Sequence, residues 1–263
     1  MQWENLSAPA FEQAMAATEV CVLSMGVVEN HFAHLPLGTD FLAAHKIACM
    51  AADIEPAMVF PPYYFGQVFE ATCYPGTIAI KPSLLMELMQ NVFDEIGRNG
   101  FTKIIIYNEH GGNNHFLPFL AQCSLYEEKS YNIYLYTGNS QPELKRKFNE
   151  ICDSELHGHA CECETSLMLH GFPELVREDL IPQTPALPLK RMEHIPGTYT
   201  GIWWYSDYPE YLAGDPKHAS AEKGRALLEL YVESFAKYIA GVKADRIVPA
   251  LNREFFSKTR HGK

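Results

Sequence analysis

Short apolar runs alternate with longer amphipathic segments along much of the chain. Four runs are short, apolar or rich in β-branched residues and predict strands at 19–28 (EVCVLSMGVV), 57–60, 103–107 (KIIIY) and 132–136. The run KIIIY is the clearest of them, and its unbroken apolar centre predicts burial on both faces of a sheet.

Helical spacing of apolar residues fills the intervals between these strands. The predicted helices cover 41–54, 83–100, 114–128, 141–152 and 219–242, with a shorter helical segment at 165–170. Asp40 precedes the first of them and could be its N-cap. Strands that alternate with helices predict one α/β domain over 1–263, with a mostly parallel sheet covered on both faces. Ligands of such sheets bind beyond the carboxyl ends of the strands.

Composition narrows the class of protein. The 263 residues include 21 Lys+Arg and 32 Asp+Glu, a net charge of −11, which argues against binding to nucleic acid or to an anionic membrane. No apolar run approaches the ~18–20 residues that span a bilayer, and the N-terminus does not resemble a secretory signal. The 7 scattered cysteines fit a reducing compartment. We therefore expect a cytoplasmic protein with a small-molecule ligand.

A first polar cluster follows the first predicted strand. Glu29 and His31 are two residues apart and point to the same side if the backbone is extended, and Asp40 stands at a predicted helix start. Two carboxylates and an imidazole are suitable ligands for a borderline divalent cation. Alternatively, Glu29 is solvated, His31 makes a structural hydrogen bond and Asp40 only caps the helix.

A second cluster, NEHGGNN at 108–114, follows the clearest strand. His110 stands where an active-site ligand is expected, and Glu109 beside it adds a carboxylate that is a catalytic candidate. Gly111 and Gly112 permit a tight turn, whose backbone N–H groups could bind substrate or a developing oxyanion. Alternatively the glycines serve backbone geometry alone. Neither phosphate-loop fingerprint is present.

The third cluster, HGHACECETS at 157–166, combines histidines, carboxylates and cysteines. His159 could act as an acid or base, and Glu162 could be a metal ligand. Glu164 is a further catalytic candidate, or it orients a histidine or caps a helix.

Cys161 and Cys163 in this segment could be soft metal ligands. The interleaved acidic residues favour an oxygen and nitrogen site instead, so we interpret both cysteines as small packing residues and His157 as exposed or supporting.

The three clusters together indicate a metal-dependent hydrolase. A non-catalytic, metal-stabilised scaffold or binding protein is the alternative from another class. A nucleotide-dependent oxidoreductase ranks behind both because the glycine fingerprint is missing.

The same clusters resemble the creatininase (creatinine amidohydrolase) family. MGVVENHFAHLPLGTD, NEHGGNN and HGHACECETS look like three motifs of that family in the family's order, with weaker matches at YPGTIAI and GDPKHASAEKG. The resemblance implies a three-layer α/β/α sandwich that hydrolyses a C–N bond with two divalent ions per chain, zinc or manganese, with iron as a further option. It also implies a homo-oligomer, since family assemblies are typically hexameric.

Site roles follow from the resemblance position by position. The matched metal ligands are Glu29, His31, Asp40, His110 and Glu162, with Asp40 as the bridge. His159 matches a histidine that protonates the leaving nitrogen. Metal-bound water supplies the nucleophile at neutral pH.

Three departures from the family pattern bear on the substrate. Glu109 and Cys161 stand where the family has glycine, and Gly112 stands where creatininase itself has a glutamate ligand. The last difference weakens the case for creatinine, and leaves a cyclic amide or a formamide as the expected substrate. Aromatic groups at 63–65 and 203–205 could line a pocket for a flat heterocycle, or pack in the core or at a subunit interface.

Overall fold

A four-stranded parallel sheet forms the centre of the computed structural model, which describes residues 1–259 and leaves out the side chain of Asn139. The strands are β1 (Val20–Met25), β2 (Met58–Val59), β3 (Lys103–Asn108) and β4 (Asn132–Leu135), in the spatial order β2-β1-β3-β4. All three pairings are parallel, which confirms the predicted α/β sheet and the four predicted strands.

The helices occupy the intervals between the strands and the C-terminal third of the chain. They are α1 (Ala8–Ala17), α2 (Thr39–Ile54), α3 (Pro82–Arg98), α4 (Asn113–Cys123), α5 (Pro142–Ile151), α6 (Glu162–Gly171), α7 (Trp203–Asp207), α8 (Ala221–Ala244) and α9 (Ile247–Thr259).

Three of these helices were not predicted from the sequence, namely α1, α7 and α9. Helix α7 is a short aromatic segment, and α9 buries only Phe256, so neither has a broad apolar stripe that sequence periodicity would detect. Helix α6 begins at Glu162, earlier than the predicted 165, which places both of its acidic residues in the first turn.

Two apolar layers cover the sheet, one on each face. In β1, Val20 and Val22 belong to a core shared with α2 and α8, whereas Cys21, Leu23 and Met25 belong to a core shared with α3 and α4. This alternation follows from the two-residue repeat of a strand. The result is the three-layer α/β/α arrangement that the family resemblance implies.

The ends of β1 and β3 position the polar clusters. Met25 pairs with Asn108 at the carboxyl end of the two neighbouring strands, so the residues that follow each strand emerge side by side. Gly26 comes next, and a Cβ atom there would lie only 2.5 Å from Asp40 Cβ and would clash with the Phe41 nitrogen. Glycine therefore lets the first turn of α2 approach the strand end closely.

Asp40 is not the N-cap of α2. Gly38 occupies that position, and Asp40 is the second residue of the helix, almost fully buried. Its carboxylate is thus free to face the strand ends instead of the helix N–H groups.

Within residues 1–259, no helix has both the length and the apolar character that a bilayer crossing requires.

Candidate metal centre

Glu29, Asp40 and His110 form one group of converging side chains. His110 Nδ1 lies 2.8 Å from Glu29 Oε1 and 3.0 Å from Asp40 Oδ2. All three residues are buried, and their possible ligand atoms lie within 4.8 Å of one another. Such spacing allows the three atoms to bind a single ion.

His31, Asp40 and Glu164 form a second group directly beside the first. His31 Nε2 lies 2.8 Å from Asp40 Oδ1, and the possible ligand atoms of this group are again within 4.8 Å of one another. Asp40 therefore presents one oxygen to each group. A carboxylate in that position can bridge two ions.

Backbone carbonyl groups hold the imidazoles in one orientation. His31 Nδ1 lies 3.2 Å from the Glu29 carbonyl oxygen, and His110 Nε2 lies 2.8 Å from that of Gln67. A carbonyl oxygen only accepts, so each of these nitrogens carries a proton and donates it. The other nitrogen of each ring faces a carboxylate oxygen. Both of these atoms carry lone pairs, which repel each other unless a second proton or a metal ion lies between them.

The charges of the two groups favour a cation between their carboxylates and imidazoles. Burial alone would lower the pKa of His31, but the negative charge of Asp40 raises it to about 9. Burial likewise opposes ionisation of Asp40, yet His31 and His110 hold the pKa of its carboxyl well below the ordinary range. Glu29 Oε1 and Asp40 Oδ2 are buried, and both face the same ring nitrogen, His110 Nδ1, which can donate at most one proton to the two of them. The donor set and these two oxygens fit divalent ions.

Glu162, the predicted ligand of the third motif, lies outside both groups. Its carboxylate accepts hydrogen bonds from the backbone N–H groups of Asp153 (3.0 Å) and Ser154 (2.8 Å) and forms an ion pair with Lys223. Glu164 faces the centre instead. The physical reason is helical geometry, because residues two apart in α6 point in nearly opposite directions.

His159 lies against the second group. Its ring centroid is 4.3 Å from that of His31, and its Nδ1 is 4.0 Å from Glu29 Oε1. Nε2 lies 2.6 Å from the Asn30 carbonyl oxygen, so Nε2 carries the proton and Nδ1 faces the carboxylates. Burial lowers the pKa of His159 and favours this neutral form. The ring can therefore accept a proton on Nδ1, although Glu29, His31 and His159 could also hold an ion together.

Tyr211 is a site residue that the sequence did not reveal. Its hydroxyl donates a hydrogen bond to Glu29 Oε2 at 2.5 Å across 182 residues of sequence. Tyr211 has a φ of 58°, and Phe32 and Ala160, which directly follow His31 and His159, have φ values of 59° and 53°. Left-handed backbone at three non-glycine residues is costly and tends to occur at functional sites. No local motif marks this tyrosine.

Glu109 lies beside the centre but belongs to neither ligand group. The Tyr107 hydroxyl donates a hydrogen bond to its carboxylate, which lines the cavity described below. Burial raises the pKa of Glu109 to about 7, although the bond from Tyr107 opposes the rise.

A cavity of about 300 Å³ opens onto the centre. Its wall includes Gly111 and Gly112, together with aromatic side chains of Tyr199, Trp203 and Trp204. Of the two aromatic groups considered from the sequence, the one at 203–205 thus contributes to the wall. In the other group, Tyr63 packs in the core between the sheet and α3.

Glu70 and Gln67 form a further part of the wall that was not predicted. Gln67 Nε2 donates to Glu70 Oε2 at 2.8 Å. A Cβ atom on Gly112 would lie 2.6 Å from Glu70 Oε1 and 2.5 Å from Gln67 Oε1. Glu70 therefore brings a carboxylate close to the position where creatininase carries its additional glutamate.

Comparison with known proteins finds one family over most of the chain. The sequence model of the creatininase family, described as creatinine amidohydrolase, matches residues 4–239.

Three relatives align over most of their lengths. Creatinine amidohydrolase of Pseudomonas putida is 25% identical over an alignment of 252 residues, and the match covers 87% of this chain and 92% of that protein. Mycofactocin precursor peptide peptidase of Mycolicibacterium smegmatis is 25% identical and covers 92% and 93%, respectively. 3-Dehydro-scyllo-inosose hydrolase of Thermotoga maritima is 22% identical and covers 91% and 83%.

Solved structures share the fold. A creatininase variant of Zn–Zn type superposes with a TM-score of 0.78 at 22% identity, covering 93% of this chain and 98% of that one. A structure described as creatininase Mn superposes with a TM-score of 0.76 at 23% identity, covering 93% of this chain and 99% of that one.

Proposed function

The chain belongs to the creatininase family, and from that premise we propose that it is a metal-dependent amidohydrolase that cleaves a C–N bond of a small cyclic amide or formamide. The relatives named above are hydrolases and a peptidase, which supports hydrolysis as the reaction class.

The orientation of the histidines is the observation that carries this proposal. Two imidazoles are locked by backbone carbonyl groups so that their free nitrogens face buried carboxylates. This is the usual arrangement around metal-ligating histidines. We propose that Glu29, Asp40 and His110 hold one ion and that His31, Asp40 and Glu164 hold the other. Zinc or manganese suits these nitrogen and oxygen donors.

When bound, such ions lower the pKa of water and polarise a carbonyl oxygen. The chain's own residues supply the remaining chemistry. His159 Nδ1 is free to accept a proton from the nucleophilic water and to deliver it to the departing nitrogen, which leaves poorly as an anion. Tyr211 fixes one oxygen of Glu29, so that the other oxygen stays directed at His110. We propose that the backbone of Gly111 and Gly112 positions the substrate.

Glu109 lies close enough to the proposed metal centre to assist in binding water or substrate. Its carboxylate lines the cavity beside His110 and is held there by the hydrogen bond from Tyr107. We propose that it orders water or a polar substrate group at the cavity wall.

The cavity wall supports a particular substrate chemistry. Indole and phenol rings suit a flat substrate, and Glu70 with Gln67 can accept hydrogen bonds from its N–H groups. A volume of about 300 Å³ lies at the small end of ligand pockets, which favours a small amide over a long peptide.

Metal analysis followed by substrate profiling tests the proposal. The carboxylate centre should hold two ions per chain in purified protein, and chelation should abolish turnover of a panel of cyclic amides and formamides, with recovery on adding Zn²⁺ or Mn²⁺. A scaffold protein would instead lose stability on chelation and turn over none of the panel. The cavity that opens onto the ligand atoms favours the enzyme.

Replacement of His159 tests its role separately. His159→Gln should keep both ions and lower kcat about 10²–10⁴-fold, because only the proton carrier is removed. The exposed His194→Gln is the matched control. Loss of an ion from His159→Gln would show that this histidine is a ligand instead.

Homo-oligomer formation and a cytoplasmic location complete the proposal. Exposed apolar side chains between residues 187 and 202, including Leu187 (56%), Tyr199 (69%) and Ile202 (57%), offer a surface for a second copy. Light scattering would measure the assembly, for which the family resemblance implies a hexamer. All seven cysteines are free thiols, as expected in a reducing compartment.

A further inference from the structure

We propose that His157, Cys161 and Cys163 form a second metal site, distinct from the carboxylate centre, which binds a thiophilic ion of the zinc class. A ring nitrogen of His157 and the two sulfur atoms lie within 4.8 Å of one another. The Sγ atoms of Cys161 and Cys163 are 3.3 Å apart. These atoms need only small shifts to surround one ion with bonds of about 2.0–2.3 Å.

The start of α6 favours the charged form of the Cys161 sulfur. Cys161 is the N-cap residue of this ten-residue helix, and Cys163 lies in its first turn. The positive end of the helix dipole stabilises a thiolate at Cys161, and the thiolate is the form that binds metal. Cys163 stays protonated beside it and gives up its proton when an ion binds. The two sulfurs face each other, which packing alone does not require.

His157 provides the solvent side of the site. Cys161 is buried, Cys163 is partly buried and His157 is exposed, so an ion can enter past the imidazole. The ring also packs edge-on against Phe148, at 4.7 Å between centroids, which limits its movement. Two sulfurs and one nitrogen leave a fourth position for water or for a ligand from outside.

The donor atoms separate this site from the carboxylate centre. The centre offers only oxygen and nitrogen, whereas the second site offers mostly sulfur and prefers softer ions. This proposal gives both cysteines a role beyond the packing that Cys163 makes against the core. We infer that the bound ion fastens residues 157–161 to α6, the helix that carries Glu164.

Cobalt substitution is the direct test, because Co²⁺ reports on its ligands by colour. The full chain is stripped with chelator, kept reduced and titrated with Co²⁺. Bound thiolates give intense sulfur-to-cobalt charge-transfer absorption in the near ultraviolet, which oxygen and nitrogen ligands do not produce. We expect the band to reach its maximum with one sulfur-bound Co²⁺ per chain, after further Co²⁺ has filled the carboxylate centre, and we expect excess Zn²⁺ to remove it.

Variants assign the band to its residues. Cys161→Ser and Cys163→Ser should each remove or strongly reduce the band, and Cys123→Ser, at the end of α4, should keep it. Asp40→Asn should also keep the band while losing ions from the carboxylate centre. This result separates failure of the second site from failure of the proposed enzyme.

X-ray absorption of the zinc-loaded wild-type protein gives a test without substitutions. Zn–S scattering at about 2.3 Å is expected. Absence of both the charge-transfer band and Zn–S scattering in the reduced wild-type protein would overturn the proposal. A band that persists unchanged in both serine variants would overturn it as well.

Discussion

The carboxylate centre and the His157, Cys161 and Cys163 site share one stretch of chain but are assembled in opposite ways. The centre combines Glu29 and His31 from the loop after β1 with His110 from the loop after β3, Asp40 from α2 and Glu164 from α6. The sulfur site uses only residues within 157–163. Burying negatively charged carboxylates without a cation costs free energy, whereas cysteine thiols can bind a proton and remain neutral when no metal is present. Removing metal should therefore matter far more at the centre than at the sulfur site.

The segment 157–164 divides its side chains between these regions. His159 and Glu164 face the carboxylate centre. Glu162 faces neither site and forms an ion pair with Lys223. This stretch of sequence thus contributes side chains to both proposed sites and to one ion pair, and substitutions within and around it can separate the proposed roles.

The largest effect is expected at the shared carboxylate. Asp40→Asn keeps the side-chain shape but weakens both ion sites, because each oxygen faces a different group. We expect loss of both ions from the centre by elemental analysis. We also expect kcat/KM to fall at least ~10³-fold, which corresponds to several kcal/mol of transition-state stabilisation.

Asp53→Asn is the matched control for this change, since Asp53 is exposed on the same helix. It should change neither metal content nor rate. Full occupancy of both positions in Asp40→Asn would contradict the bridging arrangement.

The next effect distinguishes the two glutamates of α6. Glu164→Gln should lose one ion per chain. Its activity should fall by more than the ~10–100-fold that is typical when a group that only orients a metal ligand is changed. Glu162→Gln should keep both ions. Elemental analysis of the pair decides the assignment, and the opposite pattern would restore Glu162 as the ligand.

A smaller effect is expected on the stability of Glu162→Gln. Its buried carboxylate loses charge-assisted bonds to two backbone N–H groups and to Lys223, at an expected cost of about 1–3 kcal/mol in the free energy of unfolding. Burial would raise the pKa of Glu162, but Lys223 and these N–H groups hold this pKa below its ordinary value. Because the folded-state pKa is lowered, this stabilisation is present above the ordinary pKa and lost as pH falls through the folded value.

Denaturant unfolding at about pH 7 and about pH 3 measures this effect. The difference between wild type and Glu162→Gln should shrink at the lower pH. Glu150→Gln is the surface control, because Glu150 pairs with Arg146 where both side chains are exposed. A difference that grows on acidification would exclude the charge-based explanation.

The smallest effect is expected at Tyr211. Tyr211→Phe removes one hydroxyl that donates to Glu29, so kcat/KM should fall about tenfold, or roughly 1–1.5 kcal/mol, with metal content unchanged. Tyr126→Phe, at a tyrosine that is 96% exposed, is the control. An unchanged rate in Tyr211→Phe would show that Glu29 does not need this support.

Much of the architecture could be predicted from local pattern. The apolar runs at 19–28 and 103–107 correspond to central strands because such runs are stable only when buried. Polar residues directly after two neighbouring parallel strands must emerge at the same edge, so the positions of Glu29, His31 and His110 in the chain were enough to group them. The organisation as one domain stays a prediction.

Tertiary structure alone decided which carboxylates and hydroxyls complete the site. Glu162 and Glu164 are both near the start of α6, and only the packing of that helix determines which of them turns toward Asp40. Tyr211 and Lys223 reach their partners across 182 and 61 residues of sequence, through contacts that no local spacing encodes. The local sequence pattern indicates which secondary structure a segment favours. The direction in which a side chain points in the folded protein depends on how whole helices pack against each other.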